Sequence, residues 1–463
     1  MIFSGNMVKV LTRGLKKDLP VILLLLLPLF FYKLGQSSLV SWDEAWYAEI
    51  SRNIVKSGDL FNLVWNGAPF SDKPPGQFWI EALVFKFFGV SEFTARIPSA
   101  IAGLLSLFLI YLIGKSFSRG VGLMSALALG SSIWFLYRAR SGNLDVMLTF
   151  FYLLTFYLGM LVAEKRKFLL PFALSFAYLP MIKGIVFVPS LIPSLVSIFW
   201  GKLKLKDYLL PVIALSGLFG SWILIQYLSS PSLVLYHFSH SLRDSSIHSN
   251  VLDNFKLFKE YVHSGIGRWF WPGILGILAG LVLKNKKLLA ISVFPVFYSL
   301  QFMFSSEIQI WQLIPLYPFM ILAFFGSIFV FLKKFPRCQL AVNTLVLVFT
   351  LYISLTQIKQ MWYSFVDIPA FVSDEQILST EAGKYPYPFY IDSSFEPAAV
   401  FYSGKNAKWV NEFYLADLFK KSEPFVMIIK QSMLDKLKIE PKSYKILKAD
   451  RDKILILYQP TLW

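Results

Sequence analysis

The chain has 463 residues, of which 56% are hydrophobic and 16% charged, with a mean hydropathy of +0.57. A soluble protein of this length carries about 25% charged residues, so composition places this chain in the membrane class. The net charge of +17 would suggest a nucleic-acid partner in a soluble chain. Here most basic residues lie in short connections between apolar runs, which orientation in a bilayer explains better than nucleic acid does. The single cysteine, Cys338, excludes an intramolecular disulfide and any Cys-based zinc cluster.

At the N-terminus, Lys9, Arg13, Lys16 and Lys17 precede an apolar run from Leu19 to Phe31. No small-x-small cleavage site follows, so this reads as a retained first span rather than a removed leader. Runs long enough to cross a hydrocarbon core of about 30 Å fall near 18–35, 97–114, 120–137, 146–163, 168–182, 185–200, 208–228, 269–283, 288–304, 311–332 and 340–358. About eleven membrane-spanning helices are therefore expected. Alternate connections are basic: Lys115/Arg119, Lys165-Arg166-Lys167, Lys202/Lys204/Lys206, Lys284/Lys286/Lys287 and Lys333-Lys334/Arg337. The excess of Lys and Arg marks these as cytoplasmic, with the N-terminus inside and the C-terminus outside. The outer connections are then 36–96, 138–145, the surroundings of Lys183, 229–268 and 305–310.

Beyond residue 362 the pattern changes. Short β-rich runs at 389–391, 425–429, 444–447 and 454–458 alternate with helix-like segments near 395–403, 411–421 and 431–438. The expected organisation is a mainly α, polytopic membrane domain over 1–361, with its first outer loop at 36–96, and a small extracytoplasmic α/β domain over 362–463.

The candidate chemistry gathers in the outer connections. Ser41-Trp42-Asp43-Glu44 fits a capping box in which Glu44 reaches back over the helix start. Asp43, favoured as an anion by the helix dipole, could take a proton from an acceptor or hold a cationic group. Asn66-Gly67 reads as a tight turn. It leads into Asp72-Lys73-Pro74-Pro75, where two fixed φ angles stiffen the chain around a lysine. Such a cation suits a phosphate, or else snorkels to the interface. Arg138, Arg140 and Asp145 lie close enough in sequence to pair with one another. Lys183, in an apolar stretch, needs a partner from protein or ligand. All four histidines (His237, His240, His248 and His263) fall in the connection 229–268. His237-x-x-His240 is a possible part of a metal site if helical.

These residues fall in an ordered set: Asp43-Glu44-Ala45-Trp46-Tyr47-Ala48, Ser57-Gly58-Asp59, Asn66-Gly67, Asp72-Lys73-Pro74-Pro75, Ser91 to Ala100, Arg140 to Asp145, Ile182-Lys183-Gly184 and Leu235 to Arg243. The set resembles the bacterial polyprenyl-phosphate-sugar glycosyltransferases of the GT-C fold: the aminoarabinose-to-lipid A transferases and their protein O-mannosyltransferase kin. The resemblance implies an inner-membrane enzyme with an extracytoplasmic active site. It passes a sugar from a polyprenyl-phosphate donor to a lipid, glycan or protein acceptor, with inversion and without a nucleotide. It implies catalytic roles for Asp43 and Asp145, and donor or substrate contacts from Glu44, Lys73, Arg140, Lys183 and Arg243. It further implies a divalent metal, for which Asp72 stands in the place of a glutamate and His240 in that of a histidine. Trp46 stands where many relatives carry arginine. The rival function is a transporter or flippase for polyprenyl-linked sugars. That would show repeated halves with broken helices, and no repeat is visible in the sequence.

Overall fold

The structure, a computed structural model, describes residues 26–184, 205–232, 234–235, 251–303, 308–392, 396–437, 439 and 441–460. The predicted span at 185–200, residues 18–25 of the first span, and His237, His240, Arg243 and His248 lie outside the described residues. In chain order, α1 (Asp43–Ser57) is followed by a hairpin of β1 (Val64–Trp65) and β2 (Ala68–Pro69), then by α2 (Gly76–Phe88) and α3 (Glu92–Lys115). Next come α4 (Arg119–Gly130), α5 (Ile133–Ala139), α6 (Asp145–Val162) and α7 (Leu169–Lys183).

The chain forms two compact units. The first comprises Met1–Lys33, Ser71–Gln77 and Arg96–Ile368, and the second Leu34–Phe70, Phe78–Ala95 and Pro369–Trp463. The sequential division at 361/362 is thus corrected. Most of the first predicted loop joins the C-terminal residues, because specific bonds tie them together. The Asn66 side chain donates to the Ala407 carbonyl and accepts from the Ala407 N–H, both at 2.8 Å. Arg52 donates to the Phe401 carbonyl at 2.8 Å.

Six described helices are long and apolar enough to cross a membrane: Glu92–Lys115, Asp145–Val162, Leu209–Ser229, Val251–Val282, Ile310–Leu332 and Pro336–Val366. A seventh arises if α4 and α5, bent by 70°, count as one span. The bend was not expected at 120–137. It falls at Ser131-Ser132, whose hydroxyls both bond back to the Ala128 carbonyl at 3.0 Å and divert the backbone ladder. The run predicted at 168–182 is α7, with only 15 residues, about 22 Å at 1.5 Å per residue. The connection 229–268 also needs correction, since Val251–Ile266 is helical and continues towards Val282. Its Asp253, Lys256, Lys259 and Glu260 interrupt the apolar stripe that carries Phe258 and Val262, so plain hydropathy reads it as a loop. His263 packs edge-on against Phe270 at 5.1 Å.

The second unit is built on a five-stranded sheet of order β4-β3-β5-β7-β6, with β3 (Phe389–Ile391), β4 (Ala407–Trp409), β5 (Phe425–Lys430), β6 (Tyr444–Asp450) and β7 (Lys453–Tyr458). The strands β4, β3 and β5 are parallel, and β7 and β6 continue antiparallel. Both faces are covered: Phe389, Ile391, Val426 and Ile428 enter one core, Tyr390, Phe425, Met427 and Ile429 the other. Two-sided burial makes such strands read as unbroken apolar runs, which is why 425–429 was visible in the sequence. β4, a three-residue edge strand with two exposed residues, was not.

At the hairpin, Trp65 pairs with Ala68 across Asn66 (φ 52°) and Gly67 (φ 77°), the two left-handed positions that an Asn-Gly turn supplies. Asn66→Ala removes both bonds to Ala407 and is expected to destabilise this unit by about 1–3 kcal/mol, read as a lower midpoint of thermal unfolding in detergent.

At the start of α1, Trp42 occupies the cap position without a side-chain bond, and Glu44 reaches back to accept from the Val40 N–H at 2.9 Å. Glu44 is 4% exposed, and this bond ties it to the start of α1. Facing α1 from α2 is Glu81, also buried, with Ser51 donating to it at 3.1 Å. Burial, reinforced by the charge of Glu44, raises the Glu81 carboxyl well above the usual range. The folded state then holds a proton that the unfolded state releases above the ordinary glutamate pKa, so stability falls as pH rises from there. Unfolding midpoints between pH 5 and 8 are expected to decline in the wild type and less steeply in Glu81→Gln.

Candidate active site

The first unit collects ionisable groups from three separate stretches of chain. The first is α5, carried out of line by the serine bend and ending in Arg138 and Ala139. The second is the start of α6, where Asp145 occupies the first turn and gains from the helix dipole. The loop between them is held by Asn143, which is fully buried. Its amide donates to the Ser141 hydroxyl at 2.6 Å and to the Arg138 carbonyl at 3.3 Å. Its own carbonyl accepts from Ser99 at 2.8 Å.

The third stretch is the end of α7. Gly184 terminates it with φ 67° and ψ −130°, a conformation that costs glycine little and other residues much. Lys183 is left as the last helical residue.

These pieces meet at Asp145. One carboxylate oxygen accepts from Lys183 Nζ at 2.9 Å, and the other from Arg138 Nη2 at 2.8 Å and Nε at 3.2 Å. The Arg138 guanidinium also lies over the Trp311 ring, 5.0 Å from its centroid. Asp145 is 3% exposed. Two cations against one carboxylate leave the cluster with a net positive charge in a low-dielectric setting, where electrostatic attraction for an anion is strong. Because both oxygens are engaged, Asp145 anchors cations rather than standing ready as a base. Arg138, read from sequence only as a pairing partner, is the residue that sequence reasoning undervalued. Its seven-residue offset from Asp145 crosses a loop and follows no helical or strand period.

Lys73 enters through the turn before α2. It lies 3.0 Å from Asp72, and Tyr178 of α7 donates to the Gly76 carbonyl at 2.8 Å. The approach is close enough that a Cβ at Gly76 would sit 2.6 Å from the Met181 carbonyl oxygen. The Asp72–Gly76 turn is therefore clamped onto the last turns of the helix that presents Lys183. Gly76→Ala is expected to displace the turn and lower turnover about tenfold or more, with little change in protein abundance in the membrane.

Arg140 takes a different part from the predicted substrate contact. It donates to the carbonyls of Leu29 at 2.8 Å, Tyr32 at 2.7 Å, Phe365 at 2.6 Å and Val366 at 3.3 Å. Burial, with the charge of Arg96, pushes its pKa down to about 10, so it stays charged at neutral pH. It ties three distant segments together and has little donor capacity left for a ligand.

Asp43 stands in the first turn of α1, in the second unit, and is half-buried. His240 and Arg243 lie outside the described residues. The described residues do not form a metal centre: no group of three or more His, Cys, Asp or Glu side chains converges among them. Asp72 faces the ammonium of Lys73, which already supplies it with a cation.

Residues 72–224 match the family model described as dolichyl-phosphate-mannose-protein mannosyltransferase. Across nearly its whole length the chain superposes on ArnT from Cupriavidus metallidurans in the apo state. The TM-score is 0.74 at 16% identity, covering 96% of this chain and 98% of the other. The fold is that of the GT-C glycosyltransferases. The undecaprenyl phosphate-bound form of the same ArnT aligns equally well, with a TM-score of 0.75 and the same identity and coverage. In sequence, an uncharacterized protein of Aquifex aeolicus is 33% identical over 224 residues, 46% of this chain and 44% of that one. An undecaprenyl phosphate-alpha-4-amino-4-deoxy-L-arabinose arabinosyl transferase of Pseudomonas paraeruginosa is 34% identical over 124 residues, 26% of this chain and 23% of the relative. The chain thus aligns with less than half the length of these curated relatives. With several helices long and apolar enough to cross a membrane and this fold, the chain is a polytopic membrane protein.

Proposed function

We propose that this protein is a membrane glycosyltransferase that moves a sugar from a polyprenyl-phosphate donor to a lipid, glycan or protein acceptor. We place the reaction on the outer face of the inner membrane. The observation that carries the reading is the buried cluster of Arg138, Asp145 and Lys183, net positive and linked through α7 to the turn that holds Lys73. The family match over 72–224 and the GT-C fold support it, and the basic alternate connections support the orientation.

In this reading the acceptor hydroxyl attacks the anomeric carbon from the side opposite the phosphate. The new C–O bond forms as the glycosyl–phosphate bond breaks, and configuration inverts. The electron pair leaves on polyprenyl phosphate, whose added charge is stabilised by Lys73, Lys183 and Arg138. Asp43 takes the acceptor proton, and Asp145 keeps Lys183 and Arg138 in place. Arg243 adds to the phosphate contacts as its motif implies. A divalent metal held through Asp72 and His240 is carried by the resemblance alone, and no step depends on it; nor does any need a nucleotide.

The test uses purified protein with polyprenyl-phosphate sugars and a glycolipid or peptide acceptor, following release of polyprenyl phosphate. Acceptor-dependent release is the expected result. No release by the wild type with any donor would overturn the assignment.

A further inference from the structure

Several buried polar atoms of the first unit lack a partner among the described residues, but only Gln77 has both ends of its side chain unspent. Gln77, the second residue of α2, is wholly buried, and among the described residues neither its amide nitrogen nor its amide oxygen has a hydrogen-bond partner. Buried amides are nearly always bonded, and leaving both ends unspent is destabilising. The environment is unusual too. Gln77 follows the Lys73-Pro74-Pro75-Gly76 turn and opens a helix of 13 residues. The free N–H groups and dipole of a helix start favour a negatively charged ligand. Helical Cα–Cβ bonds tilt towards the N-terminus, so the Gln77 side chain leaves the backbone leaning towards that turn. The turn itself is fixed by Tyr178 at the Gly76 carbonyl.

An amide with both ends unspent asks for a ligand with a particular pairing of groups. Its N–H donates to an oxygen. Its carbonyl oxygen needs a donor, and it would repel a fully ionised phosphate oxygen. A bare phosphate supplies acceptors only. A glycosyl phosphate supplies acceptors from the phosphate and a hydroxyl or amino donor from the sugar. We infer that Gln77, at the start of α2 and four residues after Lys73, is a sugar-reading residue that distinguishes the glycosylated donor from the polyprenyl phosphate left after transfer. This inference rests on the donor class proposed above and adds a specificity residue to it. A site that reads the sugar in this way would also release its product, because the spent carrier no longer satisfies the amide.

The test compares wild type, Gln77→Met and Lys73→Met in detergent by equilibrium binding of two probes without acceptor: polyprenyl phosphate, and the same carrier bearing a hexose or an aminopentose. The wild type is expected to bind at least one glycosylated carrier tenfold or more tighter than the bare one. Gln77→Met, similar in shape and free of both polar groups, is expected to lose that preference while keeping its affinity for the bare carrier. Lys73→Met is expected to weaken both probes. Gln77→Met should also unfold at the same temperature as the wild type or higher, because it removes unpaired groups. A fall in that midpoint would mean the amide has a structural partner, and would overturn the inference. A preference retained by Gln77→Met, or a wild type that binds both carriers alike, would overturn the role of Gln77 alone. A wild type that binds neither carrier would overturn the donor class, and this inference with it.

Discussion

Asp145→Asn is expected to lower polyprenyl phosphate release by about a hundredfold or more, and to reduce stability at the same time. Its two oxygens receive Lys183 on one side and Arg138 on the other. An asparagine can accept one of these bonds, but its amide nitrogen would face the second cation. Removing one member of a buried ionic group costs about 3–5 kcal/mol, because the remaining charges stay buried without compensation. Part of that cost appears as a lower unfolding midpoint. The rest appears as displacement of two side chains that stabilise the leaving phosphate, and each 1.4 kcal/mol of lost transition-state stabilisation is about tenfold in rate. Two further variants separate these effects. Asp145→Asn combined with Lys183→Met returns the cluster to the single net positive charge of the wild type, and should recover part of the lost stability without recovering rate. Lys183→Met alone leaves Asp145 paired with Arg138, and should retain most of the stability while losing rate. If Asp145→Asn turned over at the wild-type rate, the cluster would have no part in the reaction.

The contrast between Asp145 and Arg140 shows what the sequence made legible. The spans near 97–114, 146–163 and 311–332 were readable because lipid-facing and core-facing positions are both apolar, so hydropathy is continuous whichever way a residue points. The strands at 389–391 and 425–429 were readable for the same reason, being buried on both faces. Residues 251–266 were not, since one face of that helix is charged.

At the site, the resemblance singled out Lys73, Asp145 and Lys183 by type and order. Who pairs with whom was invisible. Arg138 and Arg140 are two residues apart, of one type and equally buried. One grips Asp145 and the other four backbone carbonyls. That difference arises from the 70° break between α4 and α5 and from where the segments around Leu29 and Phe365 pass, which are long-range facts. The grouping of residues 34–70 with the C-terminal residues was equally hidden, because it rests on bonds such as that between Asn66 and Ala407, 341 positions apart. Gln77 stood in the sequence as one polar residue at a helix start, and only its lack of partners gives it interest.

Asp43→Asn is the second large effect, expected to lower the turnover number by about 10² to 10⁴, the range associated with loss of a positioned general base. Asparagine matches aspartate in shape and is tolerated at a helix start, so the substitution isolates charge and proton affinity. The helix-dipole contribution of a carboxylate in the first turn is about 0.3–1 kcal/mol. That is too little to unfold a 15-residue helix whose Ala45, Ala48 and Ile50 are fully buried. Loss of fold therefore cannot supply a rate effect of this size. The Michaelis constant for the donor should stay within about twofold, because the phosphate contacts assigned to Lys73, Lys183 and Arg138 are untouched. A substitution that removes only ground-state binding raises that constant and spares turnover, the reverse of the expectation here. The measurement is a pair of saturation curves, one for donor and one for acceptor, in wild type and Asp43→Asn. If the loss lay wholly in the donor constant, Asp43 would be a binding residue and the proton would need another acceptor. If turnover were unchanged, the role proposed for the Asp43-Glu44 motif would reduce to starting α1, which Glu44 already does through the Val40 N–H.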